Sequence, residues 1–241
     1  MSEQLLPLAL AVVAFLYGSV GHAGATGYIA VFALAGLAPE LIRPLALMLN
    51  LLVASFGAWQ FWRAGHLHWR RFWPLLPLAV PAAFFGGWLE LPTQGLRWLL
   101  GAVLLSAALR FLLQPRDPHP LDPPGGVTLL VTGAGLGLMA GLTGTGGGVF
   151  LSPWMLLRRW CSTRQAAAVA VIFIWVNSLA GLLGFLRSGQ PLPQLPLPWA
   201  VAVLLAGGLG AHAGSRRWAV PTIRRLLALV TGFAGSKLLL G

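Results

Sequence analysis

Two stretches, Gly21-His22-Ala23-Gly24-Ala25-Thr26-Gly27 and Gly141-Leu142-Thr143-Gly144-Thr145-Gly146-Gly147-Gly148, interrupt otherwise continuous apolar sequence and overlay on one another at a shift of about 120 residues. Gly144, Gly146, Gly147 and Gly148 would make a poor helix interior, each glycine costing roughly 1 kcal/mol against alanine, so the spacing predicts a special backbone. Such a turn leaves main-chain amides without local partners, which lipid tolerates only where the backbone lines a cavity or is packed in protein. If a helix restarts at Val149, its first-turn amides and positive dipole end face that cavity and favour an anion. Gly24 and Gly27 are expected to do the same in the first stretch.

The surrounding composition fixes the solvent. Of the 241 residues 57% are hydrophobic and 9% charged, with a mean hydropathy of +0.80. That is too little polar surface for a soluble globule. Apolar runs recur from Leu5 to Leu240 without period-two alternation, which excludes a transmembrane barrel and predicts an all-α, polytopic integral membrane protein. A net charge of +11 would suggest nucleic acid in a soluble chain; here the arginines lie at segment ends and in loops, where they orient a protein on the bilayer, and no nucleic-acid partner is expected. Cys161 is the only cysteine, so an intramolecular disulfide is excluded. Met1-Ser2-Glu3-Gln4 lacks the basic region of a signal peptide, so the first apolar run is expected to stay in the mature protein.

Ten apolar segments can be drawn: Leu5 to Val20, Ala25 to Ala38, Leu41 to Trp62, Phe72 to Leu89, Leu96 to Leu113, Val127 to Ala140, Val149 to Trp160, Ala166 to Leu186, Leu197 to Ala213 and Ile223 to Leu240. The polar stretch 114–126 separates an N-terminal repeat, 1–113, from a C-terminal repeat, 127–241, of five segments each. Further likenesses join Phe56-Gly57 through Arg63-Ala64-Gly65 to Ala180-Gly181 through Arg187-Ser188-Gly189, and Leu91-Pro92-Thr93 to Val220-Pro221-Thr222. An odd number of segments per copy predicts two inverted-topology repeats, with short or re-entrant helices flanking the glycine-rich turns. Twelve arginines (Arg63, Arg70, Arg71, Arg110, Arg116, Arg158, Arg159, Arg164, Arg216, Arg217, Arg224, Arg225) fall on one side against Arg43, Arg97, Arg187 and Lys237 on the other. The richer side is expected to be cytoplasmic in a bacterial-type inner membrane, with both termini outside.

Other motifs are weighed against plainer roles. Gly135-Leu136-Gly137-Leu138-Met139-Ala140 fits a dinucleotide fingerprint, but it has no preceding strand signal and no acidic residue about 20 positions on. Gly133, Gly137 and Gly141, four apart, predict a smooth helix face for close packing. Thr26, Thr143 and Thr145 either donate to a ligand or back-bond to a helix carbonyl; Asn50, Asn177 and Ser178 either complete the site or bond between helices. His22 is a donor, a proton carrier or a structural hydrogen bond. His66 and His68 lack nearby Cys or carboxylate ligands, so no metal is expected and a loop facing headgroups is preferred. His212, between Gly210 and Gly214, reads as a packed polar residue, and Cys161 as an inert thiol at a helix end. Trp69, Trp73, Trp160 and Trp218 lie near the basic loops and fit an interfacial belt without a cofactor. Glu3, Glu40, Glu90, Asp117 and Asp122 all fall near segment ends or in loops, which leaves no central carboxylate for a cation and no acid–base pair for an enzyme.

The run Gly141 to Gly148 continued by Val149-Phe150-Leu151-Ser152-Pro153 resembles the glycine-rich signature of the TauE/SafE family of sulfite and organosulfonate exporters. Val20 to Tyr28, followed by Arg43-Pro44-Leu45-Ala46-Leu47 and Leu49-Asn50, resembles the matching repeat, without its triple glycine. The resemblance implies a carrier that exports a small sulfur-containing oxyanion by alternating access, a homo-oligomer being compatible with it. An anion channel built on the same helix ends is the alternative. Backbone at Gly24, Gly27 and Gly144 to Gly148, with Thr26, Asn50, Thr143, Thr145, Asn177 and His22, is the expected anion site. Export of an anion is downhill by about 2.3 kcal/mol per charge per 100 mV, so separate coupling need not be invoked.

Overall fold

The computed structural model describes residues 5–89, 94–113, 117 and 120–240. Glu3, Glu90, Arg116, Leu91-Pro92-Thr93 and most of the polar stretch before Pro120 lie outside the described residues. Within them the chain is helical and carries no strand: α1 (Leu5–Ser19), α2 (Ala25–Leu34), α3 (Pro39–Arg63), α4 (Trp69–Phe72), α5 (Leu76–Trp88), α6 (Gln94–Leu113), α7 (Gly126–Thr143), α8 (Gly148–Leu157), α9 (Thr163–Arg187), α10 (Leu197–His212) and α11 (Val220–Leu240). Every expected apolar segment is a helix. The fourth is divided, because Pro74 and Pro77 remove amide donors where α4 passes through a 3₁₀ turn, Trp73–Leu75, into α5.

Helix lengths echo across the chain. α2 and α8 each have 10 residues, and α3 and α9 each have 25. At about 1.5 Å per residue a 10-residue helix covers about 15 Å, half a hydrocarbon core. α3, α7, α9 and α10 with its π-helical extension, Ala213–Arg217, are long and apolar enough to cross one. Both short helices double back on their predecessors: Thr26 meets Tyr17 and Gly27 meets Val13, while Gly147 sits against Ala140 and Leu136.

Glycine contacts give the helix directions. Gly133, Gly137 and Gly141 lie on the carbonyls of Leu75, Ala79 and Ala83, so α7 runs alongside α5 in the same sense. Gly210 and Gly214 lie on the carbonyls of Phe15 and Ser19, which aligns α10 with α1; Val53 at Gly207 and Phe56 at Gly208 align it with α3. α3 and α9 run oppositely, with Leu47 near Gly181, Asn50 on Ser178 and Val171 against Gly57. Thus α1, α3 and α10 point one way, α7 and α9 the other with α5, and α5 and α10 each pack on helices from across the polar stretch.

One end of the bundle gathers the arginine-rich loops. His66 Nε2 meets the Ser215 carbonyl at 2.9 Å, His68 Nδ1 meets Gln165 Nε2 at 3.2 Å, and Arg164 donates to the Trp218 carbonyl at 2.8 Å. Asp117 accepts from the Thr163 amide at 2.8 Å and lies 3.9 Å from Arg224, which clamps the stretch between the halves onto α9 and α11. One ring nitrogen of each histidine of the H-x-H pair is thus engaged in these loop contacts. Trp69 and Trp73 are exposed beside this end, but Trp160 departs from the expected belt. It is buried with Cys161 against Leu156 and Phe111, because the chain reverses at Arg159 (φ 60) and tucks the ring inward. Burial, reinforced by the Asp117 carboxylate, pushes the Cys161 thiol up, out of the reactive range.

Backbone-on-backbone packing of α5 and α7 leaves no room for a side chain at Gly137, whereas Gly135 on the opposite face has open space. Gly137→Leu is expected to destabilise the protein in detergent by roughly 1–3 kcal/mol or more, and Gly135→Leu by less than about 0.5 kcal/mol. Thermal unfolding of the two variants beside wild type measures this.

Candidate functional site

Both glycine stretches are breaks between helices, and both are sealed in protein: residues 17–28 and 144–153 are buried throughout. Glycine is required at two matching places. Gly24 (φ 108) and Gly147 (φ 81) each precede a short helix in a left-handed conformation that side chains rarely adopt, and a Cβ would strike Tyr28 or Phe173 respectively. Gly27 lies further on, inside α2, with its Cα against Val13 and Tyr17. It serves helix contact there rather than the turn itself.

Asn50, from the middle of α3, joins the two breaks. Its Oδ1 accepts from the Ala25 amide at 3.0 Å, and its Nδ2 donates to the Thr145 carbonyl at 3.4 Å and to Ser178 Oγ at 3.2 Å. One carboxamide therefore caps the start of α2 and holds the second break against α9. A second link runs from His22, whose Nε2 lies 3.0 Å from Ser152 Oγ in α8; its buried Nδ1 has no partner. Tyr28 fixes the first break by donating to the Ala23 carbonyl at 2.7 Å.

The two short helices begin differently. Asn50 is the twelfth residue of α3; the twelfth residue of α9 is Ile174, whose side chain covers Gly146 and Gly148 instead of capping them. α8 thus starts without a side-chain cap. Among the described residues the amides of Gly146, Gly147, Gly148 and Val149 donate to no acceptor, while Phe150 and Leu151 already bond to the Gly147 carbonyl. One helical turn beyond Phe173 and Ile174, on the same face of α9, lies Asn177. It is 1% exposed, and neither atom of its carboxamide has a hydrogen-bond partner. Uncapped amides at a positive helix end and an unspent carboxamide form a donor set suited to an oxyanion.

The threonine hydroxyls are committed elsewhere. Thr26 donates to Tyr17 Oη at 2.8 Å; Thr143 back-bonds to the Met139 carbonyl at 2.7 Å and pairs with Thr145 Oγ1 at 2.8 Å. They shape the breaks and offer no spare proton. Arg43 is a site neighbour that sequence reading counted among the orienting charges and in the motif Arg43-Pro44-Leu45-Ala46-Leu47 but not among the site residues. Its Nη2 reaches the carbonyls of Gly86 and Gly87 at 3.0 Å and that of Gly141, and its stem lies against Gly144. The guanidinium thereby neutralises the negative ends of α5 and α7 at the mouth of the second break. Its position four residues inside a helix, next to Pro44, was the available signal. Among the described residues no cluster of metal-ligating side chains occurs, and Asp117, Asp122 and Glu40 lie away from both breaks.

Comparison with known proteins gives the arrangement a context. The profile described as Sulfite exporter TauE/SafE matches residues 6–238. The chain is also 38% identical over 247 residues to the Probable membrane transporter protein y4hK of Sinorhizobium fredii, covering 99% of this chain and 100% of that relative. No solved structure matches the chain.

Removing the Asn50 carboxamide strips partners from a buried amide and a buried carbonyl. Asn50→Ala should therefore cost about 1–3 kcal/mol for each group left unpaired, while Ser178→Ala, which deletes only an acceptor of Asn50, costs less. Unfolding midpoints of the purified variants would rank them.

Proposed function

The chain belongs to the TauE/SafE sulfite exporter family and is a membrane transporter of that type, and from that premise we propose that it exports a small sulfur-containing oxyanion, sulfite or an organosulfonate, by alternating access. The cargo binds between the two breaks. It is held by the amides of Gly146, Gly147, Gly148 and Val149 and by Asn177 Nδ2, with His22 Nδ1 facing the same start of α8. Gly24, Thr26, Gly27, Asn50, Thr143, Gly144 and Thr145 keep that backbone in place. The observation that carries this reading is the buried, unpartnered Asn177 carboxamide, one helical turn along α9 from the Phe173 and Ile174 that cover the uncapped start of α8. Leaving such groups unpaired is costly, and an oxyanion would accept from Asn177 Nδ2 and from the α8 amides.

The halves act as inverted repeats in this proposal. Its support is the opposed directions of α3 and α9, the matching lengths of α2 with α8 and α3 with α9, and the crossing of α5 and α10 onto the other half. The arginine-rich end faces the cytoplasm, which places both termini outside. Arg43 closes the outer end by tying α3 to α5 and α7, and those bonds break when the cargo leaves. A closed, exchanging site of this kind distinguishes a carrier from a channel.

The test uses proteoliposomes loaded with labelled sulfite. Wild type should show saturable efflux, stimulated by unlabelled sulfite on the far side; efflux without saturation or exchange would instead indicate a channel. Asn177→Leu is expected to retain or raise thermal stability, since it replaces an unpaired amide with an apolar group of similar size, yet to lower efflux at least about tenfold, the effect of losing one hydrogen bond to a charged ligand. Gly147→Leu should fall as far. Efflux equal to wild type in Asn177→Leu would defeat the site.

A further inference from the structure

On the exposed face of α3 and α10 lies a groove of about 340 Å³ lined by Leu52, Ser55, Phe56, Trp59 and Leu204. Its one hydroxyl is already satisfied, because Ser55 Oγ donates to the Leu51 carbonyl at 2.7 Å and accepts from Trp175 Nε1 at 2.8 Å, and the other lining groups are hydrocarbon or aromatic, with the Trp59 indole N–H the single further donor. The lining therefore behaves as hydrocarbon. Arg63 lies one turn beyond Trp59, with its guanidinium 5.1 Å from that ring's centre. Among the described residues its partner is an aromatic face and no carboxylate. His66, three residues on, bonds to the Ser215 carbonyl, and the exposed Arg216 and Arg217 follow immediately. The groove thus ends where cations from α3 and from the extension of α10 meet.

We infer that this groove is a binding site for one anionic phospholipid of the surrounding leaflet, with an acyl chain along Leu52, Phe56, Trp59 and Leu204 and the phosphate on Arg63. The dimensions agree. From Leu52 to Arg63 is eleven residues, about 16 Å of helix, and one leaflet contributes about 15 Å of hydrocarbon. Charge agrees as well, since guanidinium forks match phosphate oxygens and Arg63 keeps its donor edges clear of protein carboxylates. The occupied site spans the seam at which a helix from before the polar stretch meets one from after it.

Native mass spectrometry of the full-length protein in a neutral detergent, titrated with phosphatidylglycerol or phosphatidylcholine of matched chains, tests this. Wild type is expected to hold one phosphatidylglycerol in roughly fivefold preference over phosphatidylcholine, the effect of one arginine at a headgroup. Arg63→Gln should abolish the preference while both lipids still bind. Leu204→Trp, which fills the groove, should weaken both, and Arg187→Gln, at the end of α9, should change neither. Equal binding of the two lipids by wild type would overturn the proposal, as would a preference that survives in Arg63→Gln or falls equally in Arg187→Gln. None of these readouts depends on transport, so the lipid site and the anion site stand or fall separately.

Discussion

A main chain in lipid must find hydrogen-bond partners within the protein, and the Asn50 carboxamide is where this chain meets that demand most visibly. Two helices break inside the bundle, and each break frees amides and carbonyls that water cannot reach. Asn50 satisfies an amide of one and a carbonyl of the other. Because it sits on α3, it also fixes where the breaks stand relative to α9 through Ser178. The start of α8 and Asn177 carry part of the unmet polarity that remains in the core, as do His22 Nδ1 and Thr231 Oγ1.

Glycine and alanine make that arrangement affordable in space. With no difference in hydrophobicity between lipid and helix surface, helices in a bilayer associate through close contact of small residues. Gly133, Gly137 and Gly141 of α7, and Gly210 and Gly214 of α10, rest directly on carbonyls of their neighbours. Both pairs cross the polar stretch between the halves. Segments from before and after the polar stretch are therefore interlocked through these smooth seams.

The helices were readable from sequence because each segment is continuously apolar, bounded by charge, proline or a glycine-rich turn, and free of competing periodicity. The breaks were readable because Gly24 and Gly147 need conformations that other residues avoid. Partners across the bundle were not. Asn50 and Asn177 look alike as polar residues in apolar helices, yet one is fully bonded and the other bare, a difference set by the register of α3 against α9. The hydroxyls of Thr26 and Thr143 read equally as ligand donors or as back-bonded groups; Thr143 back-bonds to Met139, and Thr26 is spent on Tyr17. Arg43 was hidden by its resemblance to ordinary loop charge, and Trp160 by its place beside Arg158 and Arg159, where a left-handed turn at Arg159 points the ring inward.

The difference between position twelve of α3, an asparagine, and position twelve of α9, an isoleucine, has a genetic corollary. Two identical halves inserted in opposite senses would give a pair of asparagines, both short helices blocked and no open terminus left for an anion, or a pair of isoleucines with neither break secured. Because both stretches lie in one chain, each is free to carry its own residue at that register, an asparagine bonded to the start of α2 and an isoleucine packed on the start of α8. Shuffling halves among related chains should therefore fail wherever both donors bring the same residue to that register.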